Sequence, residues 1–318
     1  MAKQPEFLIV APSFTHKSGG ARALYRLCYH LNAAGYFAAV SPLAERIDAL
    51  PDWPVTVHNG PAADSVVIYP EVVSGNPLKA EKVVRWTLNT PGLLGGDAFY
   101  SDEEMVFTCS PIQLPEVSKS ASKPLGPSRV LSVGLIDPTY IYPHPRPEKD
   151  LECSFTHKGA AIRDRNPLPN EASLQRIEDV TPTMASLGDV LRRTRTLYSY
   201  DHKSTILKEA VICGCQVLVM HEDGRLLDPE TCGCVDNNVF WGGGFRENYA
   251  RRYHDSTFVH AFIRELTTRW RIRDTGGQTG LSGALRPIIP RTLEIAQEGS
   301  DASSPQGLIA GRSSIPRR

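Results

Sequence analysis

Tyr198-Ser199-Tyr200-Asp201-His202-Lys203-Ser204-Thr205-Ile206-Leu207-Lys208-Glu209-Ala210-Val211-Ile212-Cys213-Gly214-Cys215-Gln216-Val217-Leu218-Val219-Met220 reads as a strand end, a capped helix, a glycine stop and a buried strand. Asp201 is placed to cap the free amides of the first helical turn, and Ser204 and Thr205 add hydroxyls to it. Gly214 suits the left-handed position that follows a helix. The apolar run 216–220 suits a central parallel strand. An ordinary α/β domain has the same rhythm. It has no need of a carboxylate at Glu209, on a helix whose Ile206, Leu207, Ala210 and Val211 face the sheet.

Working outward, residues 6–11 form a first strand, 12–20 a loop, 21–34 a helix stopped by Gly35, and 36–40 the next strand. This opening is a βαβ unit, the crossover that parallel strands require. Strands follow at 66–69, 83–88 and 105–109, and the Pro-, Ser- and Lys-rich stretch 111–127 reads as a hinge or linker. A second series has strands at 129–133, 151–155, 196–200 and 216–220, with helical stretches at 168–178 and 184–193. Phe258, Ala261, Phe262 and Leu266 give 256–270 the spacing of an amphipathic helix. The expected architecture is α/β: two Rossmann-like domains facing one cleft, with ligands beyond the carboxyl ends of the strands. The divisions are 1–115 and 129–255 for the domains, 116–128 for the linker, 256–273 for a helix at their junction, and 274–318 for a poorly ordered, mildly basic tail.

Lys plus Arg and Asp plus Glu both number 35, which leaves no overall field to draw in nucleic acid or an anionic membrane. The chain shows neither a run of eighteen apolar residues nor a signal-peptide pattern, so the expectation is a cytoplasmic protein without a membrane span. Seven unevenly spaced cysteines fit reduced thiols better than a disulfide framework. The gaps in Cys213-x-Cys215 and Cys232-x-Cys234 are too tight for the usual structural zinc spacing, and no metal site is expected.

The loop Pro12-Ser13-Phe14-Thr15-His16-Lys17-Ser18-Gly19-Gly20 runs into a helix. Gly19 and Gly20 allow a ligand close to backbone amides, or simply make a turn. Neither a dinucleotide fingerprint nor a P-loop is present. In the second series, Lys158 and Gly159 follow a strand in the same way and suit a diphosphate, with Arg163 or Arg165 as a bidentate phosphate donor. The alternative for this loop is a solvated basic surface. On one helix, Asp201 and Glu209 would lie roughly 80° and about 12 Å apart, too far for a shared metal but compatible with one elongated ligand. His16 and Glu71 are candidates for contact with sugar or acceptor, or polar groups satisfied within their loops. His202 has the pKa class for acid–base work, and its neighbour Asp201 suggests a local hydrogen bond instead.

Asp201-x7-Glu209, followed by Ala210, Cys213-Gly214-Cys215 and the Val217-Leu218-Val219 strand, resembles the E-x7-E region of retaining GT-B-type glycosyltransferases. Ser18-Gly19-Gly20 resembles the family's opening loop. The segments from Tyr69 to Pro77 and from Val83 to Gly92 resemble a bacterial polysaccharide-type subgroup. The likeness spans roughly residues 6 to 270; Asp201 stands where the family has glutamate, and the arginine that usually precedes the phosphate-binding lysine is not plain. The resemblance implies transfer, with retention, of a sugar from a UDP- or GDP-linked donor to an acceptor hydroxyl on a carbohydrate, lipid-linked or protein acceptor. It implies no cofactor and no Asp-x-Asp metal clamp. Glu209 would hold the donor ribose, Ser204 and Thr205 the diphosphate, and Lys158 the phosphate. The alternative is a nucleotide-sugar- or glycan-binding protein of the same fold without turnover.

Overall fold

The computed structural model describes residues 4–42, 46–62, 64–144, 149–231 and 244–272. Cys232, Cys234 and the tail from 274 onward lie outside them. The first half contains strands β1 (Phe7–Ala11), β2 (Ala38–Pro42), β3 (Val66–Pro70), β4 (Lys82–Thr87) and β5 (Met105–Thr108), and helices α1 (Gly19–Ala33) and α2 (Leu114–Ser120). The second half contains β6 (Leu151–Phe155), α3 (Ala160–Arg165), β7 (Gln175–Arg176), α4 (Ile177–Val180), α5 (Met184–Arg193), β8 (Thr194–Ser199), α6 (Ile206–Ile212), β9 (Gln216–Met220) and β10 (Leu226–Leu227). Helices α7 (Phe245–His254) and α8 (Thr257–Thr267) follow.

Two five-stranded sheets result, each flanked by helices in a Rossmann-like arrangement. The first has the order β2-β1-β3-β4-β5 and is parallel throughout. The second runs β10-β9-β8-β6-β7, and only the short β10 is antiparallel. In both, the chain lays its second strand on one side of the first and its third on the other. Strand order therefore reverses between β1 and β3, and again between β6 and β8. Crossover helices diverge at such points and open a crevice at the strands' carboxyl ends.

Helix α1 shows why the sequence folds this way locally. Ser18 Oγ accepts the Ala21 amide at 3.2 Å, and Gly35 leaves the helix at φ +86°. Leu24, Leu27, Cys28 and Leu31 are buried at helical spacing against Phe7, Ile9 and Val84 in the first core. Helix α8 joins this same core. Phe262 lies 5.0 Å from the Phe107 ring and 6.4 Å from the Phe7 ring, centroid to centroid. The second core gathers Phe155, Leu187, Leu191, Leu197, Leu207 and Val219.

Three local expectations are corrected. Residues 129–133 do not start the second sheet: Val130 makes a lone bridge to Thr108, and Leu131 and Val133 are buried in the first core. The Trp86 indole donates to the Leu131 carbonyl at 3.0 Å and holds the crossover there. The helix expected over 168–178 is broken into a 3-10 turn, β7 and α4, since Pro167 and Pro169 restrict the backbone at its start. Within the proline-rich 111–127 stretch, α2 forms with Pro115 in its first turn, and Val117 is buried with Tyr100 and Val106.

Candidate active site

The loops after β1, β4, β5, β6 and β8 converge on one cavity of about 520 Å³. Lys17, Ser18, Gly19 and Gly20 enter it from the start of α1, and Leu88 and Asn89 from the end of β4. His157 and Lys158 come from the β6 loop, and Asp201, Lys203, Ser204 and Thr205 from the β8 loop. Lys208 of α6, and Phe245, Tyr249 and Arg252 of α7, complete much of the wall. Among the described residues, Asp201 is the one carboxylate in that lining.

Lys158 owes its place to a constrained turn. His157 sits at φ +36°, a conformation costly for a residue with a side chain. Glu178 Oε1 accepts the Thr156 amide at 2.6 Å and the His157 amide at 2.9 Å, which holds that turn. The His157 ring stacks on Phe155, and its Nδ1 lies 2.7 Å from Asp201 Oδ2. Gly159 serves packing: a Cβ there would meet the Tyr200 carbonyl oxygen at 2.2 Å. Gly159 therefore supports Lys158 from behind and is not part of the cavity lining.

Asp201 corrects the expectation of a helix cap. Its Oδ1 accepts the Lys203 amide at 2.8 Å within the loop, whereas α6 begins at Ile206 without a side-chain cap. Burial pushes the Asp201 carboxyl up, but the bonds from His157 and the Lys203 amide, with the charges of His157 and Lys158, hold it below the usual carboxylate range. Asp201 and Glu209 therefore do not share one helix. They reach the site from a loop and a helix with different partners.

Glu209 is fully buried, and its Oε1 accepts from Arg22 Nη1 at 2.5 Å. The pair ties α6 to α1 across the two halves. Glu209 Oε2 has no partner. Glu209 lines a separate cavity of about 20 Å³ with His16 and Arg22, which shares Lys17 and Ser204 with the main one. That space has the volume for a water but not for a ribose, so contact with a nucleoside requires it to widen. His16 belongs to the small cavity: its Nε2 lies 2.9 Å from the Thr181 carbonyl, and burial lowers its pKa.

Glu71 is buried, with Oε2 accepting the Leu88 amide at 2.8 Å. Burial raises its pKa against the pull of the Leu88 and Asn89 amides and of Lys158. Arg163 is ion-paired with Glu171 and lies outside the lining of either cavity. Gly19 and Gly20 both line the main cavity, and a Cβ on Gly19 would meet Thr205 Oγ1 at 2.9 Å, so glycine lets α1 approach the β8 loop.

Sequence reasoning missed Arg22, Glu178, Lys203, Lys208 and Arg252. Lys208 was open to notice, being in the first turn of the helix that follows Ser204 and Thr205. The chain matches no protein-family model and no curated protein. Among the described residues no group of His, Cys, Asp and Glu is arranged to hold a metal. The Cys213 and Cys215 thiols are buried, and Cys215 Sγ lies 3.0 Å from the Leu191 carbonyl. No described helix is long and apolar enough to cross a membrane.

Proposed function

We propose that the protein is a GT-B-type glycosyltransferase that moves a sugar from a nucleotide diphosphate donor to an acceptor hydroxyl, with retention. One observation carries this reading. The loop after β1 of the first sheet and the loops after β6 and β8 of the second meet in a single cavity, where Lys158, Lys203, Ser204, Thr205 and the N-terminus of the fifteen-residue α1 converge. That set of donors suits a diphosphate.

In the reaction, the acceptor oxygen bonds the anomeric carbon on the same face from which the diphosphate oxygen departs, so configuration is retained. The electron pair leaves with the diphosphate, whose departing oxygen takes up the acceptor's proton. Lys158 stabilises the growing charge, and Ser204 and Thr205 donate to the phosphoryl oxygens. Asp201 and His157 fix the turn that presents Lys158. Glu209 accepts from the donor ribose through Oε2 once the small cavity opens beside Ser204, with His16 on that side of the site. Glu71 contributes its charge near Lys158. The donor is UDP- or GDP-linked, and no cofactor is required.

The Arg22–Glu209 pair favours a second reading, in which the cleft binds a nucleotide sugar without turnover, because a carboxylate already engaged is less ready to orient a donor. Single-turnover kinetics separates the two. Lys158→Ala is expected to lower the transfer rate by about 100-fold while changing donor affinity far less. Full-rate transfer by this variant would remove Lys158 from the catalytic assignment.

A further inference from the structure

A turn that only had to present Lys158 would be better made with glycine at position 157, because the backbone there stands at φ +36°. The chain places a histidine in that strained position instead, and strain of this kind gathers at ligand sites. His157 lines the large cavity beside Lys158. Its Nδ1 lies 2.7 Å from Oδ2 of Asp201, whose side chain is 3% exposed, whereas the imidazole is 33% exposed. One face of the ring stacks on Phe155. Among the described residues nothing bonds Nε2, on the far side of the ring from Nδ1.

A carboxylate beside Nδ1 keeps a proton on that nitrogen, which leaves Nε2 of the neutral ring with a lone pair. Nε2 donates only when the ring is charged. The charged groups on the elements about the ring are Asp201 and Lys203 of the β8 loop, Lys158, Lys17 and Glu178. Glu178 of α4 accepts the His157 amide, and Lys17 Nζ donates to the Glu178 carbonyl at 2.7 Å. Three ammonium groups against two carboxylates oppose a further positive charge there. A bound diphosphate, with one negative charge on each phosphoryl group, reverses that balance.

We propose that His157 is a proton-coupled ligand of the diphosphate. A solvent proton bonds the Nε2 lone pair as the nucleotide binds, and the imidazolium, held by Asp201, donates from Nε2 to a phosphoryl oxygen next to Lys158. The proposal rests on the nucleotide-diphosphate reading of the same cleft. It makes donor binding take up a proton and weaken as pH rises through the range in which histidine loses its charge.

Calorimetry on the full chain tests it at about pH 7.5, in Tris and in Hepes, whose ionisation enthalpies differ. UDP-glucose and GDP-mannose are titrated first, and failure of both to bind would reject the nucleotide reading. The diphosphate of a nucleotide sugar holds no proton that titrates near neutrality, so a binding enthalpy that depends on the buffer reports proton uptake by the protein. Inorganic pyrophosphate is the second probe, and its own protons cancel in the difference between wild type and variant. The expected result is uptake of part of a proton per ligand, lost in His157→Gly and in His157→Asn, both of which suit the left-handed turn and keep Lys158 in place. These variants should also bind about tenfold more weakly at about pH 6.5, with the gap closing by about pH 9. Imidazole added to His157→Gly should restore affinity. Uptake on pyrophosphate that depends on His157, with no nucleotide bound, would support the ligand role and reject the nucleotide reading. The proposal is overturned by enthalpies independent of buffer in the wild-type protein, by uptake that survives in both variants, or by failure of pyrophosphate and both nucleotide sugars to bind.

Discussion

Glu209 and Arg22 form a buried pair, with relative exposures of 0% and 5%, so each is the other's main defence against desolvation. Glu209→Ala should cost about 3–5 kcal/mol in urea unfolding, because Arg22 would remain buried and unpaired. Replacing both, as Arg22→Met with Glu209→Leu, should cost much less than the sum of the single changes. Equal and additive losses would show that the two groups are not coupled. Lys208 titrates in a testable range, since burial and then Arg252 bring its pKa down to about 8 from 10.5. Its charge is lost as pH rises through about 8, so oxyanion affinity in the cleft should be lower at pH 9 than at pH 7. Stability moves the other way. Between about 8 and 10.5 the unfolded chain binds the extra proton, so the native protein should gain stability with rising pH relative to Lys208→Met. Urea titrations of both proteins across that window would contradict the assignment if the difference stayed constant. At this scale Asp201, Ser204 and Thr205 stand out in the sequence through the Asp201-x7-Glu209 spacing and Lys158 through its place after a strand, and all four line the cavity. Arg22 does not stand out, because a buried arginine in a helix has meaning only beside Glu209, 187 positions away.

Helix α6 and the turn after β6 carry most of the site, and they differ in how much the sequence disclosed. β6, α5 and β9 have the bounds expected of them, since each is a short periodic segment ended by a change of composition. The start of α6 was misplaced by several residues: Asp201 looks like a helix cap, yet its side chain bonds the loop amide of Lys203. Residues 129–133 have strand-like composition, but Leu131 and Val133 were claimed by the first core, a tertiary effect outside the reach of local pattern. The turn at His157 to Gly159 offers a further test. Gly159→Ala places a methyl about 2 Å from the Tyr200 carbonyl oxygen and must shift the turn. The expected loss is about 1–3 kcal/mol of stability, together with weaker nucleotide binding as Lys158 moves. Unchanged melting and unchanged affinity would show that the turn does not set the position of Lys158.

At the scale of the whole molecule, loops at the carboxyl ends of strands in both sheets line one cavity, and α1 connects both halves. On one side Arg22 meets Glu209. On the other, Arg26 donates to the Tyr253 carbonyl, its guanidinium 3.8 Å from the Tyr253 ring centroid. The two strand–helix series were legible from hydrophobic pattern and glycine stops. The binding of α7 and α8 to the first half was not, because it depends on Phe262 and Arg26 meeting partners far away in sequence. The central claim is that this cavity activates a nucleotide diphosphate sugar. Its most direct test is release of nucleoside diphosphate across a panel of UDP- and GDP-sugars, with and without mixed acidic and neutral acceptors. The account predicts release from at least one donor, stimulated by acceptor and reduced about 100-fold in Lys158→Ala. Absence of both release and nucleoside diphosphate binding across the panel would contradict it.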